Sequence, residues 1–98
     1  MFIVMLTYTK PLAEVDRHLA GHRAWVSEGF ADGVFILSGG QRPRTGGALL
    51  AVGEDRSAIQ ARIDRDPFVL GGVATAELVE VVPSTLDARL DWLKPQGA

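Results

Sequence analysis

From Phe2 to Tyr8 the apolar residues fall on both parities, with Phe2, Val4 and Leu6 on one and Ile3 and Met5 on the other. This pattern predicts a strand with two buried faces, ended by Lys10-Pro11. From Leu12 the period lengthens. Leu12, Val15, Leu19, His22, Val26 and Phe30 step by 3, 4, 3, 4 and 4, one stripe down a helix of about five turns. Glu14, Arg17, Arg23 and Ser27 fall on the opposite side; Gly29 is expected to fray the last turn and Asp32-Gly33 to end it. Val34 to Ser38 reads as a second strand and Ala48 to Val52 as a third. Between them Gly39 to Gly47 has no apolar residue and reads as a glycine-rich hairpin tip. Asp55 is the expected N-cap of a shorter helix with Ile59 and Ile63 inward, which stops near Asp66 because a proline disfavours helical backbone in the residue before it. Ala74 to Val82 reads as a fourth strand. Ser84-Thr85-Leu86-Asp87 resembles a capping box opening a short C-terminal helix with Leu86, Leu90 and Leu93 on one side.

The order is therefore β-α-β-β-α-β with a tail helix, the split βαβ pattern of α+β ferredoxin-like folds, in a single domain spanning 1–98. Right-handed crossovers place both main helices on one face of a four-stranded antiparallel sheet. The first three strands, however, are apolar on both parities. At about 25 cal/mol per Å² of apolar surface, a second face of Leu, Ile, Val and Phe is costly to leave in water. A second copy packed sheet to sheet about a two-fold axis covers it most simply, so a homodimer is expected. The tail helix either covers part of that face or reaches across to the partner.

Composition narrows the chemistry. With no cysteine among 98 residues, thiolate nucleophiles, zinc-thiolate sites, iron–sulfur clusters and disulfide scaffolds are excluded together. A formal net charge of −2 offers no electrostatic reason to bind nucleic acid or an anionic membrane. The apolar N-terminus lacks a basic leader region and the ~20-residue run of a membrane span, so a cytoplasmic location is expected.

His22 stands in a slot of the apolar stripe that a leucine would suit. It is either a buried neutral histidine satisfied by backbone or water, or an acid–base group at the helix–sheet boundary; imidazole ordinarily titrates at about pH 6.5. His18 lies one turn earlier, but two histidines at this spacing without a third ligand make a weak metal signature, and no metal or cofactor is expected. Asp66, before Pro67, is either a helix stop or the carboxylate that orients His22. Ser38 and Gly39 offer a hydroxyl and backbone N–H groups to a ligand, or form a turn of positive φ. Arg42 and Arg44 offer guanidinium groups to a carboxylate or phosphate, or form a solvated loop. No phosphate-binding or dinucleotide glycine motif occurs. Trp25 and Trp92 read as packing residues.

Several motifs together resemble one family. His22 eleven residues before Gly33, the run Gly33-Val34-Phe35-Ile36-Leu37-Ser38-Gly39, Pro43-Arg44-Thr45-Gly46-Gly47 and Asp66-Pro67-Phe68 are similar to the YciI-like proteins, which carry a YCII-related domain. The resemblance spans about Met1 to Pro83. It implies a dimeric α/β barrel of ferredoxin-like subunits and an active-site pair of a histidine on the first helix with the aspartate of an Asp-Pro motif. Those positions are His22 and Asp66, with His18 outside the pattern. Many members have Gly-Pro where this chain has Gly39-Gly40, which changes the rim of the pocket. The family includes a dehydrochlorinase of a chlorinated aromatic intermediate.

Three functions are expected on these grounds. The first is a small cofactor-independent lyase or isomerase with His22 as general base, Asp66 orienting it, and Ser38, Gly39 and Arg44 binding a small aromatic or enolic substrate. The second is a dimeric, non-enzymatic small-molecule-binding or accessory protein. The third is a cofactor-free oxygenase; fold analogy does not choose among them.

Overall fold

The alternation of β1 (Phe2–Tyr8) sets the layers of the structure. Phe2, Val4 and Leu6 are buried, whereas Ile3 and Met5 on the other parity are half-buried and Thr7 is exposed. The computed structural model describes residues 1–94; residues 95–98, the end of the expected domain span, lie outside the described residues. After β1 come α1 (Leu12–Asp16), α2 (Leu19–Ala31), β2 (Phe35–Gly40), β3 (Gly46–Ala51), α3 (Arg56–Ile63), α4 (Pro67–Leu70), β4 (Ala74–Glu80) and a 3₁₀ turn over Ala88–Leu93. The strands form one antiparallel sheet in the order β2-β3-β1-β4, the ferredoxin-like arrangement. Phe2, Val4, Leu6, Phe35, Leu49 and Ala51 on one face of the sheet meet Trp25 of α2 and Ile59 and Ile63 of α3, so both helices lie on that face. Val15, Phe68, Val73 and Ala74 form a second, smaller cluster at its edge.

The long first helix is broken in two. Arg17 N–H donates to Glu14 O and His18 N–H to Val15 O, bonds spanning three residues that tighten the turn and re-phase the helix beyond it. The buried residues of α2 are consequently Trp25 and Gly29, while Phe30 is 43% exposed. Gly29 does not fray the helix: a Cβ there would stand 2.1 Å from the Phe35 ring, so its absence lets β2 pack against α2. The helix ends as expected. Gly33 has φ 73°, with Gly33 N–H bonded to Phe30 O and Val34 N–H to Gly29 O, the paired C-terminal bonds of a Schellman motif.

The hairpin is tighter than its glycine content suggests. Its strands extend to Gly40 and from Gly46, pairing Gly39 with Ala48 and Gly40 with Gly47, so the turn shrinks to Gln41–Thr45 and Gly39 and Gly40 are extended strand residues of ordinary φ. Gly46 is dictated by contact, since a Cβ there would meet Leu6 O at 1.8 Å. Asp55 caps α3 by accepting from Ala58 N–H at 2.9 Å, and Ile59 and Ile63 are fully buried. The tail also departs from expectation. Its helical turn is 3₁₀, begins after Asp87 whose carboxylate accepts from Arg89 N–H, and leaves Trp92 60% exposed.

On the face away from the helices, Ile3 pairs between Leu50 and Val79, with Leu37 beside Leu50. Leu37 is 50% and Val79 42% exposed. The segment Val81–Leu93 borders this face, enclosing with Ile36, Leu37 and Leu50 an apolar groove of about 470 Å³. Among the described residues no helix is long and apolar enough to cross a membrane.

Gly29→Ala is expected to destabilise the fold by about 1–3 kcal/mol, because its methyl overpacks the Phe35 ring. Urea denaturation measures this; an unchanged midpoint would mean that Phe35 moves aside freely.

Candidate functional site

Helix α3 ends at Ile63, and the Asp-Pro dipeptide expected to stop it instead starts a further short helix, α4, with Asp66 as its N-cap. Pro67 occupies the first helical position, where its missing N–H costs nothing, and Asp66 Oδ1 accepts from Phe68 N–H at 3.0 Å. Asp66 is 0% exposed. A buried carboxylate needs partners, and the second is His22, whose Nδ1 lies 2.8 Å from the same Oδ1. An ionised carboxylate only accepts, so opposite it Nδ1 is the donor of the His22 bond and Nε2 carries the lone pair. Among the described residues Asp66 Oδ2 has no partner.

The His22 ring sits at the seam between the two core clusters. It stacks on Phe68 at 3.9 Å between centroids with 10° between planes, and lies 5.7 Å from the Trp25 ring. Trp25 itself is a core residue whose Nε1 donates to Arg62 O at 3.0 Å. With its side chain 14% exposed, the imidazole has restricted access to solvent and borders an open cleft of about 690 Å³. Helix α2 reaches α4 closely because Gly21 has no side chain: a Cβ there would lie 3.3 Å from Pro67.

One wall of the cleft is helical and the other is sheet. Leu19, His22, Arg23, Val26 and Ser27 come from α2, while Leu6, Tyr8, Ser38, Gly39, Gly40 and Gly47 come from the strands. The predicted positions His22, Ser38, Gly39 and Arg44 all border it, with Asp66 directly behind the imidazole. Arg44 ion-pairs with Asp16 of α1, and its guanidinium carbon lies 6.0 Å from the Tyr8 ring centroid. Their hydrogen bond holds the Asp16 carboxyl below, and the Arg44 guanidinium above, their usual values. Arg42 is exposed and does not border the cleft. His18 does not either. Its ring lies against Gly71, where a Cβ would stand 2.7 Å from Cε1 and Nε2. No three His, Cys, Asp or Glu side chains among the described residues gather as a metal site.

Arg23 and Ser27, expected on the side of the helix opposite the stripe, instead line the cleft beside His22 and Val26, because the break at Arg17 and His18 re-phases the helix; neither they nor Tyr8 and Asp16 were read as site residues from the pattern. A signal for the helical wall was nevertheless present. Leu19, His22, Arg23, Val26 and Ser27 have the spacing i, i+3, i+4, i+7, i+8 of one helix face, and a face that mixes His, Arg and Ser with Leu and Val suits a cleft better than a core.

Asp66→Ala leaves Phe68 N–H and His22 Nδ1–H buried without an acceptor, and is expected to cost about 2–4 kcal/mol. Asp66→Asn, which keeps an acceptor for Phe68, is expected to cost less than half as much. Equilibrium unfolding of the two variants checks this, and equal losses would show that the cap is not what Asp66 supplies.

Comparison with known proteins agrees with this architecture. A search of the curated proteins found no match. Among solved structures, 5-chloro-2-hydroxyhydroquinone dehydrochlorinase from Burkholderia phenoliruptrix, in complex with 2,5-dihydroxybenzoquinone, superposes with a TM-score of 0.65 at 17% identity, over 83% of this chain and 93% of that one. At that identity the likeness is one of fold. The family model of the YCII-related domain matches residues 1–85. The chain belongs to the YCII-related domain family.

Proposed function

We propose that this chain is a small cofactor-independent enzyme of lyase or isomerase type, acting on a small aromatic or enolic molecule. The observation that carries the reading is the 2.8 Å bond from His22 Nδ1 to the buried Asp66 carboxylate, on an imidazole that borders a cleft. Asp66 fixes the tautomer with Nδ1 protonated, so Nε2 is the base, and the carboxylate stabilises the imidazolium that forms when Nε2 takes a proton. Stacking on Phe68 holds the ring plane. In an elimination, Nε2 accepts a proton from the substrate, the C–H or O–H pair becomes a new double bond, and the leaving group departs with its own pair. In an isomerisation the same imidazolium returns the proton to a different carbon. Ser38 and Gly39, on the sheet wall facing α2, are the groups for an oxygen of the substrate that gains charge. That the solved relative is named as a dehydrochlorinase and was captured with a dihydroxybenzoquinone supports a ring-bearing, oxygen-rich substrate class.

The working form is a homodimer joined through the open sheet face, where Leu37 and Val79 remain exposed. Sedimentation equilibrium is expected to give twice the 10.5 kDa chain mass. Leu37→Asp is expected to shift the equilibrium toward single chains, and a monomeric unsubstituted protein would remove the dimer from the proposal.

The chemical test is ¹H NMR in D₂O on a panel of hydroxylated and chlorinated hydroquinones and enolic acids, monitored for product or deuterium incorporation. At least one compound is expected to turn over, with His22→Ala slower by about 10²–10⁴-fold. Turnover that survives the substitution ends the role of His22. Binding without turnover anywhere in the panel favours a binding module instead, and oxygen consumption with a phenol favours an oxygenase.

A further inference from the structure

We propose that the hairpin end of the cleft is an anion site built from Arg23 and Arg44, in which Asp16 occupies the place of the ligand's anionic group, so that the molecules taken up carry a carboxylate or phenolate. The inference rests on the reading of the cleft as the substrate site and narrows the class of substrate.

Three observations converge. The first is charge. The chain as a whole is net negative at −2, yet the cleft is bordered by two guanidinium groups and one carboxylate, Asp66 lying behind the imidazole and outside the lining. Arg44 is paired with Asp16, whereas Arg23 has no ion-pair partner among the described residues. One positive charge is left over beside the imidazole, the condition that draws an anion into a cleft.

The second is preorganisation. Arg44 stands on a turn held at both ends of its base: Gln41 Nε2 donates to Leu6 O at 3.2 Å and to Gly47 O at 3.1 Å, and Thr45 N–H to Pro43 O at 2.8 Å. With its guanidinium over Tyr8 as well, the side chain is directed across the cleft end toward α1. Arg23 is carried on α2, the helical wall of the cleft, one residue after His22, and borders the same cleft. Both cations bear on the same carboxylate, since Arg44 and, at longer range, Arg23 depress the Asp16 carboxyl.

The third is exchangeability. Arg44 and Asp16 are 44% and 48% exposed, and an ion pair so open to water holds weakly. A planar ligand carboxylate, which matches the fork of a guanidinium, displaces it readily when a second arginine is in reach.

The test uses benzoate and benzamide, isosteric probes that differ in charge, titrated into the full chain by ¹H–¹⁵N NMR, whose spectra also report that each variant is folded. Benzoate is expected to perturb the amides around Arg23, Ser38 and Arg44 and to bind about tenfold more tightly than benzamide, the scale of one well-placed charged contact. Arg23→Gln and Arg44→Gln each reduce this preference to about threefold or less, and Asp16→Asn strengthens benzoate binding by about threefold, because the internal competitor is gone. Equal binding of the two probes, failure of benzoate to bind, or a preference unmoved by both arginine variants overturns the anion site. The outcomes for the two readings separate. A benzoate preference retained in a protein that turns over nothing leaves the anion site standing and ends the enzymatic reading, whereas turnover without that preference does the reverse.

Discussion

One buried carboxylate organises this molecule. Asp66 Oδ1 accepts from Phe68 N–H, which starts α4, and bonds to His22 Nδ1, which ties α4 to α2. A carboxylate with no solvent exposure is tolerated only where its charge is met by donors, so helix start and helix docking depend on each other. The two histidines meet opposite ends of the same four-residue helix, His22 at the N-cap and His18 against Gly71 at the C-cap. Their spacing of four residues therefore serves packing at one position and a cleft-bordering imidazole at the other.

The second constraint is close backbone approach. Gly21 lets α2 reach Pro67, Gly29 admits the Phe35 ring, and Gly46 brings β3 against Leu6 O. Gly29 sets how closely α2 approaches the sheet, Gly21 how closely it approaches α4, and Gly46 how closely β3 meets β1. A cleft forms at the sheet edge occupied by Ser38, Gly39 and Gly40, where side chains are small or absent and the sheet does not meet α2.

The order of the four strands and two main helices, the sheet face those helices cover, the N-cap Asp55 and the inward residues Ile59 and Ile63 were legible in the pattern, whereas the short helix α4 was not. The pattern left His22 and Asp66 each with a packing reading and an acid–base reading, and it was the resemblance to the YciI-like proteins that named them as a pair. The break between α1 and α2 was not legible. Two hydrogen bonds of shorter span at Arg17 and His18 rotate the rest of the helix, and nothing in the one-dimensional stripe marks that rotation. The same rotation moves Trp25 and Gly29 to the core and leaves Phe30 half in water. Gly39 to Gly47 misled for a different reason: glycines read as turn residues are equally what a strand pair needs where backbones crowd.

The sequence by itself determined the order of the strands and main helices, the two apolar faces of the sheet and the residue types with acid–base capacity, because local periodicity and side-chain chemistry are enough to set them. Only the tertiary structure decided that His22 and Asp66, 44 residues apart, meet at 2.8 Å, that His18 does not border the cleft, and that Arg44 reaches Asp16. Those contacts depend on how α2, α4 and the hairpin turn are placed by packing against the sheet. Long-range placement of that kind is a property of the whole core, and no local pattern carries it.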